Sequence, residues 1–237
     1  MRKLLASILL ILIFAAACSK STNPLPMNTT DTPLATKKYT LLGLGDSYTY
    51  GQNVDTNERY LSQLYSQLTA QKYAVEYPKI IARTGWRTDD LLRNIALDGD
   101  KKKYDFVFLL IGVNNEYQGY SPESYRNEFI TCLDTALSFA SGVGDHVFVV
   151  SIPDYSVTRF VGRQAVPNSI STRIDAYNKI NKEEADKKKV NYIEITSDSR
   201  LAYSDASLIA SDGLHPSGKM YANWADKILP LIIKKMQ

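Results

Sequence analysis

From Lys38 to the C-terminus, apolar runs of strand length alternate with longer stretches of helical periodicity. The runs KYTLLGLG (38–45), AVEYPKIIA (74–82), DFVFLLIG (105–112), HVFVVSIP (146–153) and VNYIEI (190–195) are mostly continuous rather than strictly alternating. That pattern marks strands covered on both faces. Pro78 makes the first half of the second run irregular or an edge, because proline has no N–H for the ladder. Between the runs, ERYLSQLYSQLTAQ (58–71) carries Tyr60, Leu61, Leu64, Tyr65 and Leu68 at helical spacing. TDDLLRNI (88–95) predicts a short helix with Thr88 as its N-cap. SPESYRNEFITCLDTALSFA (121–140) is the clearest helix, with Ser121 as cap, Pro122 in the first turn, and Glu123 and Glu128 on the early turns. STRIDAYNKINKEEADKKK (171–189) and SGKMYANWADKILPLIIKK (217–235) complete the set, the last ended or bent near Pro230. This succession of β-α units predicts an α/β domain with a mostly parallel five-stranded sheet and helices on both of its faces.

The chain before residue 38 has a different pattern. Arg2 and Lys3 precede an apolar run, Leu4 to Phe14, that is too short to span a bilayer. Residues 1–17 therefore read as a secretory signal peptide. Cys18 directly follows three alanines, an arrangement that resembles a bacterial lipoprotein signal in which that cysteine is lipidated and becomes the first residue. Residues 18–37, rich in Ser, Thr, Asn, Pro and Asp, read as a flexible tether. The domain is then 38–237. The protein is expected to be exported and held to the bacterial envelope by a lipid anchor alone. No acidic cluster follows Cys18, so the anchor is expected to face the periplasm.

Charge narrows the partners. The chain holds 28 Lys+Arg and 25 Asp+Glu. Removing Arg2 and Lys3 with the signal leaves 28 − 2 = 26 against 25. Such a balance leaves no basic footprint for a nucleic acid, and the KKK runs at 101–103 and 187–189 read as solvated helix ends or loops. Cys132 lies within an apolar helical pattern and reads as a core residue. With Cys18 lipidated, no intramolecular disulfide is expected despite the exported context.

In open parallel sheets, sites form beyond the carboxyl ends of the strands. The segments that follow the runs are Gly45-Asp46-Ser47, Arg83-Thr84-Gly85-Trp86 and Gly112-Val113-Asn114-Asn115. Ser211-Asp212-Gly213-Leu214-His215-Pro216 precedes the last helix. Each is weak alone; together they fit one mechanism. A serine hydroxyl needs a base to attack at neutral pH. Of the two histidines, His146 opens a strand from the opposite end of the sheet and reads as structural. His215 remains. Asp212, three residues earlier in a glycine-containing turn, can reach the imidazole nitrogen that faces away from Ser47 and fix its tautomer. Acyl transfer puts negative charge on the carbonyl oxygen, and each preorganised donor there is worth roughly 3–4 kcal/mol. The N–H groups of Ser47 and Gly85 and the Asn114 amide suit that task. Gly85 is expected because a missing side chain lets its N–H approach the substrate.

At these residues the sequence resembles the SGNH, or GDSL-like, hydrolases. GDSYTYG resembles the first block with its nucleophile at Ser47, and ARTGWRTDDLL the second with the oxyanion glycine at Gly85. LLIGVNNEYQG resembles the third with the oxyanion asparagine at Asn114, and SDGLHPSGKMYANWA the last with Asp212 and His215. The resemblance covers residues 38–235. It implies a flavodoxin-like three-layer α/β/α sandwich and esterase, lipase or carbohydrate-deacetylase activity without a metal or other cofactor. Two positions depart from the pattern. Tyr48 stands where leucine is usual, and Asn115 where aspartate is frequent, which is expected to remove a supporting carboxylate contact.

The resulting expectation is a serine ester hydrolase working through a covalent acyl-enzyme, on short-chain or acetyl esters, with a small molecule or a glycan as the alcohol. The alternatives are an acyltransferase using the same site and a binding lipoprotein that has lost the chemistry. Tyr48, Tyr50, Trp86, Tyr117 and Tyr120 lie in or beside the blocks; some are expected to pack in the core and others to offer faces to sugar rings. No insertion reads as a lid, which favours a short acyl group in an open site.

Overall fold

The alternating pattern folds, in a computed structural model, into one sheet with helices on either side. The structure describes residues 38–161 and 167–236. The expected signal peptide, the Cys18 anchor and the tether lie outside them. The strands are β1 (Leu41–Gly45), β2 (Lys79–Ala82), β3 (Phe106–Leu110), β4 (Val147–Val150) and β5 (Asn191–Ile193). The helices are α1 (Ser47–Tyr50), α2 (Tyr60–Ala70), α3 (Thr88–Asp98), α4 (Val113–Tyr117), α5 (Pro122–Phe139), α6 (Pro167–Lys187), α7 (Thr196–Arg200) and α8 (Gly218–Met236). Among the described residues no helix is long and apolar enough to cross a membrane.

All five strands are parallel, in the order β2-β1-β3-β4-β5. The chain moves from β1 to one side and then crosses back to β3, so the direction reverses between these two neighbours. Right-handed crossovers then put α2 on one face and α3, α5 and α6 on the other. The packing agrees: α2 lies against α8, while α5 lies against both α3 and α6. The expected α/β/α sandwich is the observed fold. Every residue of β1, β3 and β4 is buried, in keeping with strands that themselves contain no polar side chain. Phe108 and Phe148 stack across the central strands at 5.1 Å. On the same face Tyr60 of α2 meets Phe108 edge-on at 6.4 Å, and Tyr221 meets Trp224 edge-on at 5.0 Å.

Local signals held at some ends and failed at others. Pro78 does confine β2 to Lys79 onward, with only a single bridge, Tyr39 to Val75, before it. Ser121 caps α5 by accepting the Ser124 N–H at 3.2 Å. Thr88, however, is the first helical residue and not the cap, which is Arg87. Its hydroxyl is committed to Glu128 instead. Pro230 does not end α8. Ile228 and Ile232 are both fully buried on either side of it, and that burial holds the helix through the one backbone bond proline removes. The short helices α4 and α7 carry too few residues to show a period, and the pattern does not reveal them. Cys132 is a core residue: it is fully buried and burial pushes its thiol well up, away from thiolate chemistry.

Candidate active site

The sheet register brings the first three blocks together. Gly45 at the end of β1 pairs with Ala82 of β2 on one side and with Leu110 of β3 on the other. Ser47, Gly85 and Asn114 therefore start from one row, within a few residues of it, at the point where the strand order reverses. Gly45 is obligatory for close packing: a Cβ there would lie 2.3 Å from the Leu110 carbonyl oxygen and 2.4 Å from Thr49 Oγ1.

Asp46 turns the chain from β1 into α1. Its Oδ1 accepts the Tyr48 N–H at 2.9 Å, capping the helix whose first residue is Ser47. The carboxyl is fully buried and its Oδ2 meets no hydrogen-bond partner among the described residues. Burial accordingly pushes its pKa up to about 7, against the lowering effect of the backbone N–H bonds. Ser47 is only 4% exposed and sits at the floor of a cleft.

Gly85 has φ +84°. A Cβ built on it meets nothing within 4 Å. Glycine is thus favoured by the left-handed backbone, with no protein atom crowding the position. Asn114 is the second residue of α4 and donates one amide proton to the Trp86 carbonyl at 2.9 Å, leaving the other for a ligand. Asn115 is fully buried and bonds Thr88 twice, accepting its N–H at 3.1 Å and donating to its hydroxyl at 2.7 Å. The carboxylate expected to be lost at this position is supplied by Glu128 of α5, which accepts the Thr88 hydroxyl.

The last block forms a tight loop closed by a bridge between Ile209 and Pro216. Asp212 Oδ1 accepts the backbone N–H groups of Leu214 (2.9 Å) and His215 (3.0 Å). Its Oδ2 lies 2.6 Å from His215 Nδ1. Partial burial raises the Asp212 pKa, but the bonds from the imidazole and the two N–H groups outweigh it and hold the carboxyl below its usual range. His215 is buried, with its ring 5.6 Å from that of Tyr48. With Nδ1 taken by Asp212, Nε2 is the nitrogen left for the cleft.

Ser47, Gly85, Asn114 and His215 all line one cleft of about 140 Å³, with Asp212 behind the imidazole. Among the described residues no hydrogen bond joins Ser47 Oγ to His215; such bonds commonly tighten only when substrate is bound. His146 stands at the opposite end of the sheet, its ring 5.4 Å from Phe106.

The rest of the cleft is apolar. Tyr48 and Tyr117 line it, as two of the five aromatics singled out from the sequence. The other three do other work. Tyr50 lies under the Arg59 guanidinium at 4.8 Å and Tyr120 under that of Arg87 at 5.5 Å, while Trp86 packs partly buried on the core. Tyr155 and Phe160 were missed. Both come from the segment after β4 and form a wall with Tyr117, at ring distances of 6.1 and 6.2 Å from it. The rule of reading beyond strand ends reaches them too, but they carry no chemistry that would single them out.

The chain belongs to the GDSL-like lipase/acylhydrolase family, whose sequence profile matches residues 44–222. It is accordingly an ester-hydrolysing enzyme. No curated protein matches the sequence. Among solved structures, the psychrotrophic esterase EstA from Pseudoalteromonas sp. is similar with a TM-score of 0.64 at 14% identity, over 84% of this chain and 99% of that one. The acetyl xylan esterase AlAXEase gives 0.65 at 15% identity, over 81% of this chain and 99% of that one. Axe2, an acetylxylan esterase from Geobacillus stearothermophilus, gives 0.63 at 17% identity, over 82% and 94%. At such identities the likeness speaks for the fold.

Proposed function

We propose that the protein is a serine esterase that removes acetyl or other short acyl groups, with a carbohydrate as the alcohol, through a covalent acyl-enzyme. The observation that carries the reading is the shared cleft: Ser47 and His215 line it together, and Asp212 holds His215 Nδ1 from behind. Ser47 Oγ attacks the ester carbonyl and its proton passes to His215 Nε2. The N–H groups of Ser47 and Gly85 and the free amide proton of Asn114 receive the oxyanion. The imidazolium returns the proton to the departing alcohol, and water, deprotonated by the same nitrogen, releases the acyl group. Asp212 stays ionised throughout and stabilises the imidazolium.

The size of the cleft supports a short acyl group. At about 140 Å³ it is small beside the roughly 300–1,000 Å³ of pockets that hold drug-sized ligands. The exposed Tyr117 and Phe160 faces suit a sugar ring on the alcohol side. Two of the similar structures, AlAXEase and Axe2, are acetyl xylan esterases. The signal at 1–17 supports export, with Cys18 lipidated and the 18–37 tether leading to the domain in the periplasm. Mass spectrometry of the mature protein would find a lipidated Cys18 at the N-terminus; an unmodified residue further on sinks the anchor.

The test is hydrolysis of p-nitrophenyl acetate, butyrate and octanoate by the wild type and by Ser47→Ala. Acetate and butyrate are expected to be turned over and octanoate poorly, with all turnover lost in Ser47→Ala. Retained activity in that variant rejects the nucleophile, and a preference for octanoate rejects the short acyl group.

A further inference from the structure

Two neighbouring asparagines fasten the end of one strand to the end of another. Asn114 donates to the Trp86 carbonyl at 2.9 Å, and Asn115 exchanges two hydrogen bonds with Thr88, at 2.7 and 3.1 Å. Arg87 adds a third link to the same stretch, its guanidinium donating to Gln118 at 2.8 Å. The staple therefore sets the separation between the Gly85 peptide and the Asn114 amide. Neither loop end supplies a charge to this staple's buried centre. Glu128 does so from α5: its Oε2 accepts the Thr88 hydroxyl and lies 3.5 Å from Asn115 Nδ2. Thr88 and Asn115 are both fully buried. Glu128 does not line the cleft.

The protons in this cluster balance in one way only. Thr88 has a single hydroxyl proton, which goes to Glu128. Asn115 Nδ2 supplies the proton that the Thr88 oxygen accepts, and its Oδ1 takes the Thr88 N–H. Every buried donor meets an acceptor. We propose that Glu128 is a positioning residue for the oxyanion hole, acting through Thr88 and Asn115 to hold the Gly85 and Asn114 donors at a fixed separation. The inference rests on the esterase reading of Ser47. It also makes Asn115 and Glu128 a matched pair. An aspartate at 115 in front of Glu128 sets two carboxylates against one hydroxyl proton, and a glutamine at 128 restores the missing donor.

The experiment is a cycle of Asn115→Asp, Glu128→Gln and the double variant, each measured for kcat and KM on p-nitrophenyl acetate and for thermal midpoint. Directly interacting buried groups couple strongly, so Asn115→Asp is expected to lower kcat by about thirtyfold and the double variant to recover to within about fivefold of wild type. KM should move by less than about twofold, because a misplaced oxyanion donor acts on the transition state. A merely structural role predicts a lower midpoint with kcat per folded molecule unchanged, and that result overturns the proposal. So does a double variant no better than Asn115→Asp alone. Should Asn115→Asp not fold, Thr88→Val removes the shared hydroxyl without changing shape. It is then expected to lower kcat about tenfold in folded protein, and a wild-type kcat in it rejects the inference. Failure of the esterase reading is distinct: a wild type inactive on all the esters, or a Ser47→Ala variant as active as wild type, removes the reading and the inference with it.

Discussion

Asp46 gives the sharpest stability prediction. Its carboxyl is fully buried beneath the Ser47 turn, with one oxygen capping α1 and the other without a partner among the described residues. Burial raises its pKa from 3.8 to about 7. The folded state therefore holds the Asp46 proton more tightly than the unfolded chain does. Below pH 4 both states are protonated and the group is neutral in the balance. Between pH 4 and 7 the folded state binds more protons, so stability falls as pH rises, and above pH 7 the full cost is present. At 1.36 kcal/mol per pKa unit that cost is ~4 kcal/mol, a large part of a typical domain's stability. Asp46→Asn keeps the oxygen that accepts the Tyr48 N–H and removes the ionisation. Urea unfolding followed by tryptophan fluorescence, at pH 4.5, 6 and 8, gives the difference between variant and wild type. The remaining titrating groups are shared and cancel in that difference. The variant's advantage is expected to grow by several kcal/mol between pH 4.5 and 8. Parallel pH profiles for the two proteins would show that Asp46 ionises freely in the fold and that the burial argument is wrong.

The other predictions concern the cleft. Asp212→Asn should keep the fold and lower kcat ~10³–10⁴-fold, because the imidazole loses the acceptor that fixes its tautomer; steady-state kinetics beside a circular dichroism spectrum checks it, and near-wild-type kcat removes Asp212 from the mechanism. Gly85→Ala places a Cβ in open space but forces it onto a left-handed backbone. It should cost about 1–2 kcal/mol in chemical denaturation and reduce kcat more than KM, as the oxyanion peptide turns to relieve the strain. Tyr155, held in the cleft wall by donating to the buried Glu116 at 2.8 Å, which also pairs with Arg173, should limit acyl length. Tyr155→Ala is therefore expected to raise kcat/KM for the octanoyl ester relative to acetate by about tenfold or more, from the apolar burial a longer chain gains; an unchanged ratio puts the limit elsewhere in the cleft.

What could be read from the chain, and what could not, divides along a physical line. The sequence by itself determined the five β-α units, the parallel sheet and the candidates Ser47, Gly85, Asn114, Asp212 and His215. These depend on information that is local. A continuous apolar run needs cover on both faces, a glycine permits a turn, and a strand end is where a site can form. The pairing of Asp212 with His215 was legible for the same reason, since three residues of one turn separate them.

Only the tertiary structure decided which loops face each other, because strand order is not encoded in the period of any one segment. The β2-β1-β3 order puts Ser47, Gly85 and Asn114 side by side, and it brings Thr88 against Asn115 from 27 positions away. Glu128 read as an early-turn acid of a helix, and α5 turns it onto Thr88. Tyr155 and Phe160 read as ordinary aromatics until the loop after β4 placed them over the cleft. Pro230 read as a stop or a bend, and with Ile228 and Ile232 buried on either side the helix runs through it. The reason is common to all of these. Propensity and capping amount to about a kilocalorie per residue, whereas burying an apolar side chain or satisfying a buried polar group is worth as much or more. That larger sum exists only once distant segments have met.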